Sequence, residues 1–462
     1  MDAGALSRME KTLAAPPGLS WRAALLGLAA CVLFAVGLSE AQNPLIVRSA
    51  AVAGTCLVLW LSGLVPPYVP TLLLWVATPL LLQPYGEQFG LARVLGWSAD
   101  PVLALFLGGF ALGAAATRYG IDATIARAAV GMSRGHRLAL VALTAGTTAV
   151  LSMWMSNIAA AAMMLSALRP LLADLPGGDP LRRALLLGIA LGADFGGIAT
   201  PIGSGPNAIA IAAVERVHNI TFVEWMALAL PLSLGLVAAS IVLLALRYRL
   251  RGRISLQLPP GVPGDSVVPG ARTIVVLFFL TVAAWLTEPL HGVPSAIVAL
   301  AVTVALFGTG LLGRTDLERI DWSTLILIAG GIGLGRLLEQ SGLVHAAAGA
   351  VPWADLSRPV QLLLLTFAAA LLSALMSNTA TATMLIPLAA SLDPAPSTAV
   401  LIAIAASLGV PFVISTPPNA MVYGEGGLRQ NDLLVPGLIL MVLGCLLISA
   451  TGPFVLGWMG IP

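Results

Sequence analysis

Met376 to Leu385 reads MSNTATATML, which sets an amide and three threonine hydroxyls inside a chain that is 58% hydrophobic and only 10% charged, with mean hydropathy +0.96. Soluble globular domains carry about 25% charged residues, so this is the composition of an integral membrane protein. A spanning helix needs about 20 mostly apolar residues. Candidates run Trp21 to Leu38, Ile46 to Leu64, Val69 to Leu82, Val102 to Ala116, Leu185 to Ala199, Trp225 to Leu246, Thr273 to Leu286, Pro294 to Leu312, Ser323 to Leu338, Val400 to Ile414 and Val435 to Leu456. The fold class is therefore an all-α membrane protein with about eleven transmembrane helices. Residues 1–20 are polar and read as a short cytoplasmic lead.

Two further apolar stretches, within 138–174 and 358–394, are each interrupted near the middle by Ser-Asn, and MSNTATATML is the second of these interruptions. Arginine and lysine cluster at 8–22, 127–137, 182–183, 247–253 and 314–319. All five clusters fall on one face only if 138–174 enters and leaves on the same side, as a re-entrant hairpin turning at Ser156-Asn157. The positive-inside rule makes that face cytoplasmic, with the N-terminus and the linker 254–272 on it. RYRLRGR (247–253) could also be a lipid-binding patch; a topological anchor is the simpler reading.

LSMWMSNIAAAAMML (151–165) and LSALMSNTATATMLI (372–386) are identical at eight of fifteen positions. GGFALG (108–113) and GGIGLG (330–335) precede the two hairpins, and TPIGSGPNAIA from Thr200 and ISTPPNAMV from Ile414 follow them. The chain is two halves of one design, 21–253 and 273–462. Five crossings lie between the hairpins, so the second enters from the opposite face. Inverted-topology repeats with broken helices are the architecture of secondary transporters, whose site lies at the repeat interface near the midplane.

Irregular backbone at membrane depth is tolerated only where protein or a water-filled cavity satisfies it. The breaks expected around 200–207, with Pro201, Pro206 and Asn207, and around 414–419, with Pro418 and Asn419, therefore line a cavity. Half-helix N-termini there offer N–H groups to an anion, and half-helix C-termini with Ser and Asn oxygens suit Na⁺. Ser152 with Ser156, and Ser373 with Ser377, are spaced i, i+4, which on a continuous helix aims both hydroxyls along one face. Thr381 and Thr383 read as helix packing. Arg118 with Asp122, and Arg336 with Glu339, read as local ion pairs. Asp194, a carboxylate inside the helix leading to Thr200, reads equally as a proton or cation site and as a hydrogen-bonded structural residue.

Cys31, Cys56 and Cys445 lie in separate apolar spans without CxxC spacing and read as small buried hydrophobes. His136, His218, His291 and His345 lack metal-ligand spacing. No cofactor is expected beyond Na⁺ as coupling ion, and the net charge of +2 gives no reason to expect nucleic acid.

On these motifs the chain resembles the divalent anion/sodium symporter family, carboxylate and sulfate carriers with paired Ser-Asn-Thr hairpin tips and paired Thr-Pro-Pro-Asn-type loops. The resemblance covers nearly the whole chain. It implies a homodimer whose transport domain moves elevator-fashion against a scaffold, with Na⁺ at each tip and a small dianion between them. Carried over by position, the first sodium site uses Ser152, Ser156, Asn157 and Gly203; the second uses Ser373, Met376, Asn378 and Ser415. The anion meets Asn157, Ser204, Gly205, Asn378, Thr379, Thr416 and Pro417. Two departures stand out: Ile158 replaces the tip threonine in the first half, and Ser204-Gly205-Pro206-Asn207 replaces Thr-Pro-Pro-Asn.

The function expected is Na⁺-coupled symport of a C4-dicarboxylate across a bacterial inner membrane, a location suggested by one lysine against 22 arginines, as in GC-rich genomes. Sulfate or another oxyanion as substrate, dicarboxylate exchange and proton coupling remain alternatives. A membrane-embedded enzyme would need acidic metal-binding pairs or a nucleophile beside a base, and DDxxD and HExxH are missing.

Overall fold

The computed structural model describes residues 28–29, 32–33, 35–36, 43–62, 65–215, 217–254, 269–343, 356–392 and 395–460. The N-terminal lead, most of the first candidate span, most of the 254–272 linker, Cys31 and His345 lie outside these residues.

The helices that build the fold are α1 (Pro44–Ser62), α2 (Tyr68–Leu82), α3 (Pro101–Arg118), α4 (Ile121–Met132), α5 (Arg137–Ser152), α6 (Asn157–Asp174), α7 (Pro180–Gly196), α8 (Gly205–Val214) and α9 (Phe222–Tyr248) in the first half. The second half holds α10 (Ala271–Leu286), α11 (Ser295–Gly308), α12 (Trp322–Gln340), α13 (Arg358–Leu375), α14 (Asn378–Leu392), α15 (Pro396–Ala406), α16 (Pro417–Gly424) and α17 (Gln430–Trp458). Among the described residues five helices, α3, α9, α12, α13 and α17, are long and apolar enough to cross a membrane. Of the other described candidates, α11 and α15 are shorter than their sequence windows, 14 residues against 294–312 and 11 against 400–414. Length alone misleads for α13, which ends at a hairpin tip.

Backbone and side-chain contacts bring the basic segments together. Arg137 N–H donates to Gly252 O, and His136 bridges Arg253. Tyr248 donates to Asp432 at 2.9 Å, and Arg183 and Arg247 approach the same carboxylate at 3.8 and 3.6 Å. Arg182 donates to Leu172 O. This chain of contacts ties 137 to 172, so α5 and α6 start and finish on one face as a re-entrant hairpin. On the other face, one small cavity is lined by Asp100, Glu215, Asn219, Glu288 and Pro294, and Arg336 near the end of α12 acts electrostatically on Asp100 and Glu215. The chain leaves α12 there and enters the second hairpin, α13–α14, which is therefore inverted. Arg118 reaches beyond its expected local pairing to an ion pair with Asp316; Arg336 and Glu339 pair at 3.6 Å as expected.

The halves interlock by exchange. The half-helix after each break packs against the other half: α8 against α14 and α15, α16 against α6 and α7. The paired glycines permit the same exchange upstream. A Cβ at Gly108 would lie 2.6 Å from the Ala299 Cβ on α11, and one at Gly330 would lie 2.9 Å from the Thr71 Cβ on α2. Small residues allow helix backbones this approach in a bilayer.

Both breaks begin earlier than expected. α7 stops at Gly196 and α15 at Ala406, and the chain is irregular until Gly205 and Pro417. Both breaks lie close against the hairpins: a Cβ at Gly196 would stand 2.5 Å from the Ala149 Cα, and one at Gly409 would stand 2.5 Å from the Ala374 amide nitrogen.

Candidate functional site

Freed backbone carbonyls in the breaks must find donors, and the two asparagines supply them. Asn207 Nδ2 donates to Gly197 O at 3.0 Å and to Thr200 O at 2.8 Å. Asn419 Nδ2 donates to Val410 O at 2.9 Å and to Phe412 O at 3.0 Å. Each asparagine sits in the first turn of its half-helix and closes the loop before it. From α9, Trp225 Nε1 donates to Ile198 O at 3.1 Å and Ser233 Oγ to Phe195 O at 2.7 Å. Pro206, Pro417 and Pro418 occupy opening helix positions, where a missing N–H costs nothing; Pro201 lies inside the first break.

The hairpin tips repeat the same chemistry. Ser152 Oγ bonds Asn157 Oδ1 at 2.8 Å and Ala193 O at 2.6 Å. Ser373 Oγ bonds Asn378 Oδ1 at 2.7 Å and also Ala406 O. Thr200 Oγ1 donates to Met153 O, and Ser415 Oγ to Ala374 O at 3.0 Å, so each loop is stitched to its own tip. The i, i+4 serines do not share a helix face. α5 ends at Ser152, and Ser156 is the extended N-cap of α6, accepting from Ala159 N–H at 3.2 Å; Ser377 accepts from Ala380 N–H at 3.1 Å. The helix stops at the tip because the capping serine needs non-helical backbone.

Between the tips lies a cavity of about 600 Å³. Its lining includes Ser156, Asn157, Gly203, Ser204 and Gly205 from the first half and Met376, Asn378, Thr379, Ser415, Thr416 and Pro417 from the second. Ser152 and Ser373 stand behind the asparagines, fully buried. Four helices, α6, α8, α14 and α16, begin on this lining, so four positive dipole ends face the cavity. Among the described residues lining it none is Arg, Lys or His. Oxygen atoms converge beside the first tip: a Cβ placed on Gly197 would stand 2.7 Å from Gly203 O and closer still to Asn157 Oδ1. Glycine there leaves free the space between these two oxygen atoms.

The two departures occupy matched places. Gly205 lies against Thr379 of the opposite tip, where a Cβ would come within 2.8 Å of the threonine methyl and nearer still to its hydroxyl. Ile158, in the position that Thr379 holds in the other half, lines the same cavity with an exposed aliphatic side chain. Thr381 and Thr383 are fully buried outside the lining, with Thr383 against Gly331 of α12.

Sequence reasoning left Asp194 open and passed over Ser407. Asp194 is fully buried, lines the cavity and accepts at Oδ2 from Thr416 Oγ1, 2.9 Å away and 222 residues distant in sequence. Ser407 lies 3.3 Å from Ser204, oxygen to oxygen. Aligning the halves on Ala193 and Ala406, the carbonyls that accept from the tip serines, would have paired Asp194 with Ser407.

Residues 23–409 match the family model described as CitMHS, citrate transporter. An uncharacterized transporter of Haemophilus influenzae is 30% identical over 418 residues, covering 85% of this chain and 88% of that protein. A sodium-dependent dicarboxylate transporter, SdcS, of Staphylococcus saprophyticus is 27% identical, covering 84% and 82%. The inorganic phosphate transporter PHO87 of Saccharomyces cerevisiae is 28% identical, covering 87% of this chain and 45% of that protein. The crystal structure of the Alcanivorax borkumensis YdaH transporter superposes with a TM-score of 0.58 at 13% identity, over 86% of this chain and all of that one.

Proposed function

The chain belongs to the citrate transporter family, and we propose that it is a sodium-coupled symporter of small divalent organic anions, C4-dicarboxylates first among them. What carries the reading is the cavity itself: two Ser-Asn tips and four helix N-termini converge on a space of about 600 Å³ that holds no basic side chain among its described lining residues. Helix N-termini bind carboxylates, yet partial charges alone leave a dianion poorly neutralised in a low-dielectric setting. Sodium ions bound by Ser152, Ser156, Asn157 and Gly203, and by Ser373, Met376, Asn378 and Ser415, supply the missing charge. Asn157, Ser204, Gly205, Asn378, Thr379, Thr416 and Pro417 then receive the anion.

Asn157 and Asn378 serve both ligands, so each ion preorganises the anion's contacts and the anion the ion's, a reciprocal coupling. The loaded tips and broken helices move together against the remaining helices, elevator-fashion, in a homodimer set in the bacterial inner membrane with its basic face and N-terminus in the cytoplasm. The dicarboxylate is favoured by the sodium-dependent dicarboxylate transporter among the relatives. A phosphate transporter among them keeps an inorganic oxyanion as the second reading.

Proteoliposome uptake of labelled succinate with and without an inward Na⁺ gradient tests the proposal. Uptake indifferent to Na⁺ removes symport, and competition by phosphate or sulfate but not by succinate, malate or fumarate transfers the site to an oxyanion.

A further inference from the structure

We infer that Asp194 anchors a further sodium site, additional to the two at the hairpin tips. The inference rests on the symport reading above and adds to its ion count. Asp194 is fully buried on the cavity lining. Its Oδ2 accepts one bond, from a neutral hydroxyl, Thr416 Oγ1. Its Oδ1 is buried with no hydrogen-bond partner among the described residues. The side-chain amide of Asn157 is its other hydrogen-bonding neighbour, outside hydrogen-bond geometry at Oδ1.

A buried carboxylate is retained where a cation pairs with it, and no described Arg, Lys or His lines this cavity. The local dipole does not help: Asp194 lies in the last turn of α7, whose C-terminal end is negative. The other carboxylate on the lining, Asp321, differs in this respect, because it caps α12 and accepts from the Thr324 N–H and hydroxyl at 3.0 and 2.6 Å. Asp194 has no such cap.

The repeat shows that the carboxylate is not needed for the fold. Ala193 O and Ala406 O play the same part, each accepting from the serine of its own hairpin tip, so Asp194 and Ser407 are equivalent positions. Their partners, Thr416 and Ser204, are equivalent in turn, each the N-cap of a half-helix. One member of this pair of contacts is Ser204–Ser407, two hydroxyls; the other is Thr416–Asp194. A hydroxyl suffices to hold the joint, and the carboxylate adds a negative charge and an open oxygen. Carboxylate and hydroxyl oxygens beside a half-helix C-terminus form the donor set for Na⁺. The ion sits on the wall that the anion touches, so a resident charge that would repel the anion becomes one that accompanies it.

The consequence is electrical. With two tip ions the transport of a dianion is electroneutral; with the Asp194 ion each dianion carries one net positive charge inward. In proteoliposomes with imposed K⁺/valinomycin potentials, wild-type succinate uptake is expected to accelerate at inside-negative potential, and Asp194→Asn is expected to remain Na⁺-driven but to lose that voltage dependence. Asp194→Ser, which copies the residue at 407, should behave the same and guards against a misfolded Asn variant. A second measurement needs no transported anion: equilibrium ²²Na⁺ binding to purified protein should give one more ion for wild type than for either variant. If uptake of succinate fails altogether, the substrate reading falls while the binding count still decides the site. Equal ion counts, unchanged voltage dependence in the variants, or a wild-type charge that follows an imposed pH gradient instead of Na⁺ each overturn the inference. Should neither variant fold, the wild-type charge movement per dianion decides alone: electroneutral symport of dianion and Na⁺ overturns it, one net charge per dianion supports it.

Discussion

Gly205 and Thr379 meet across the repeat interface so closely that a Cβ on the glycine would lie 2.8 Å from the threonine methyl. The loop of one half thereby leaves room for the tip of the other. The departure from a Pro-Pro loop at 205 and the retained hydroxyl at 379 are two sides of a single contact. Gly205→Ala is expected to push Thr379 off its place on the cavity wall. Hydrogen bonds to charged groups contribute about 1.5–3 kcal/mol, so the KM for the anion should rise about tenfold or more while the Na⁺ dependence keeps its form. An unchanged KM would show that Thr379 does not touch the anion.

Ile158 presents an aliphatic side chain to the cavity where the other half presents a hydroxyl. Ile158→Thr restores the symmetry, and a symmetric dicarboxylate such as succinate should then bind about tenfold more tightly, the worth of one added hydrogen bond to a charged oxygen. Competition curves with succinate, citrate and phosphate read the change. Equal gains for all three, or none for succinate, would remove Ile158 from the specificity determinants.

Ser152 and Ser373 lie behind the asparagines, each bonded to an asparagine Oδ1 and to a carbonyl at the end of the helix before the break. Alanine at either position should raise the Na⁺ concentration for half-maximal uptake about tenfold, about 1.4 kcal/mol, with the anion KM at saturating Na⁺ changed less. Dependence on Na⁺ identical to wild type in both variants would withdraw the serines from the ion sites.

Asn207 and Asn419 hold the breaks closed. Each replacement by alanine strips two buried carbonyls of their donor, at about 1–3 kcal/mol for each unsatisfied group, so thermal unfolding in detergent should occur several degrees lower and Na⁺ should not restore it. Aspartate at 207 or 419 should fare no better, since its carboxylate cannot donate to Thr200 O or Phe412 O. Melting temperatures within a degree of wild type would mean that water replaces the amide.

The repeat, the two hairpins and their inversion were legible in the sequence because they are written in identity: Ser-Asn at both tips, Pro-Asn after both breaks, paired glycines before both hairpins. The breaks themselves were placed late, after Ala199 and at Ile414, because hydropathy stays high through Gly197-Ile198-Ala199 and through Val410 to Val413, residues that lie beyond the helix ends at Gly196 and Ala406. The serine spacing misled in the opposite way, since i, i+4 means a shared face only if the helix continues, and here an N-cap intervenes. Asp194 stayed ambiguous because its meaning depends on Thr416, a partner that the fold brings to it from the other half, and on comparison with the matching Ser204–Ser407 contact.

The cavity's described lining has no basic side chain to lend, and that has a bearing on release. A fixed arginine grips an anion equally well on either side of a membrane and so resists letting go. Here whatever full positive charge the anion meets must come from solution and return to it. On the symport proposed above, affinity is therefore on loan from the ionic conditions of whichever compartment the cavity faces, and where the ions are scarce the anion leaves for want of counter-charge, without any side chain having to break its hold.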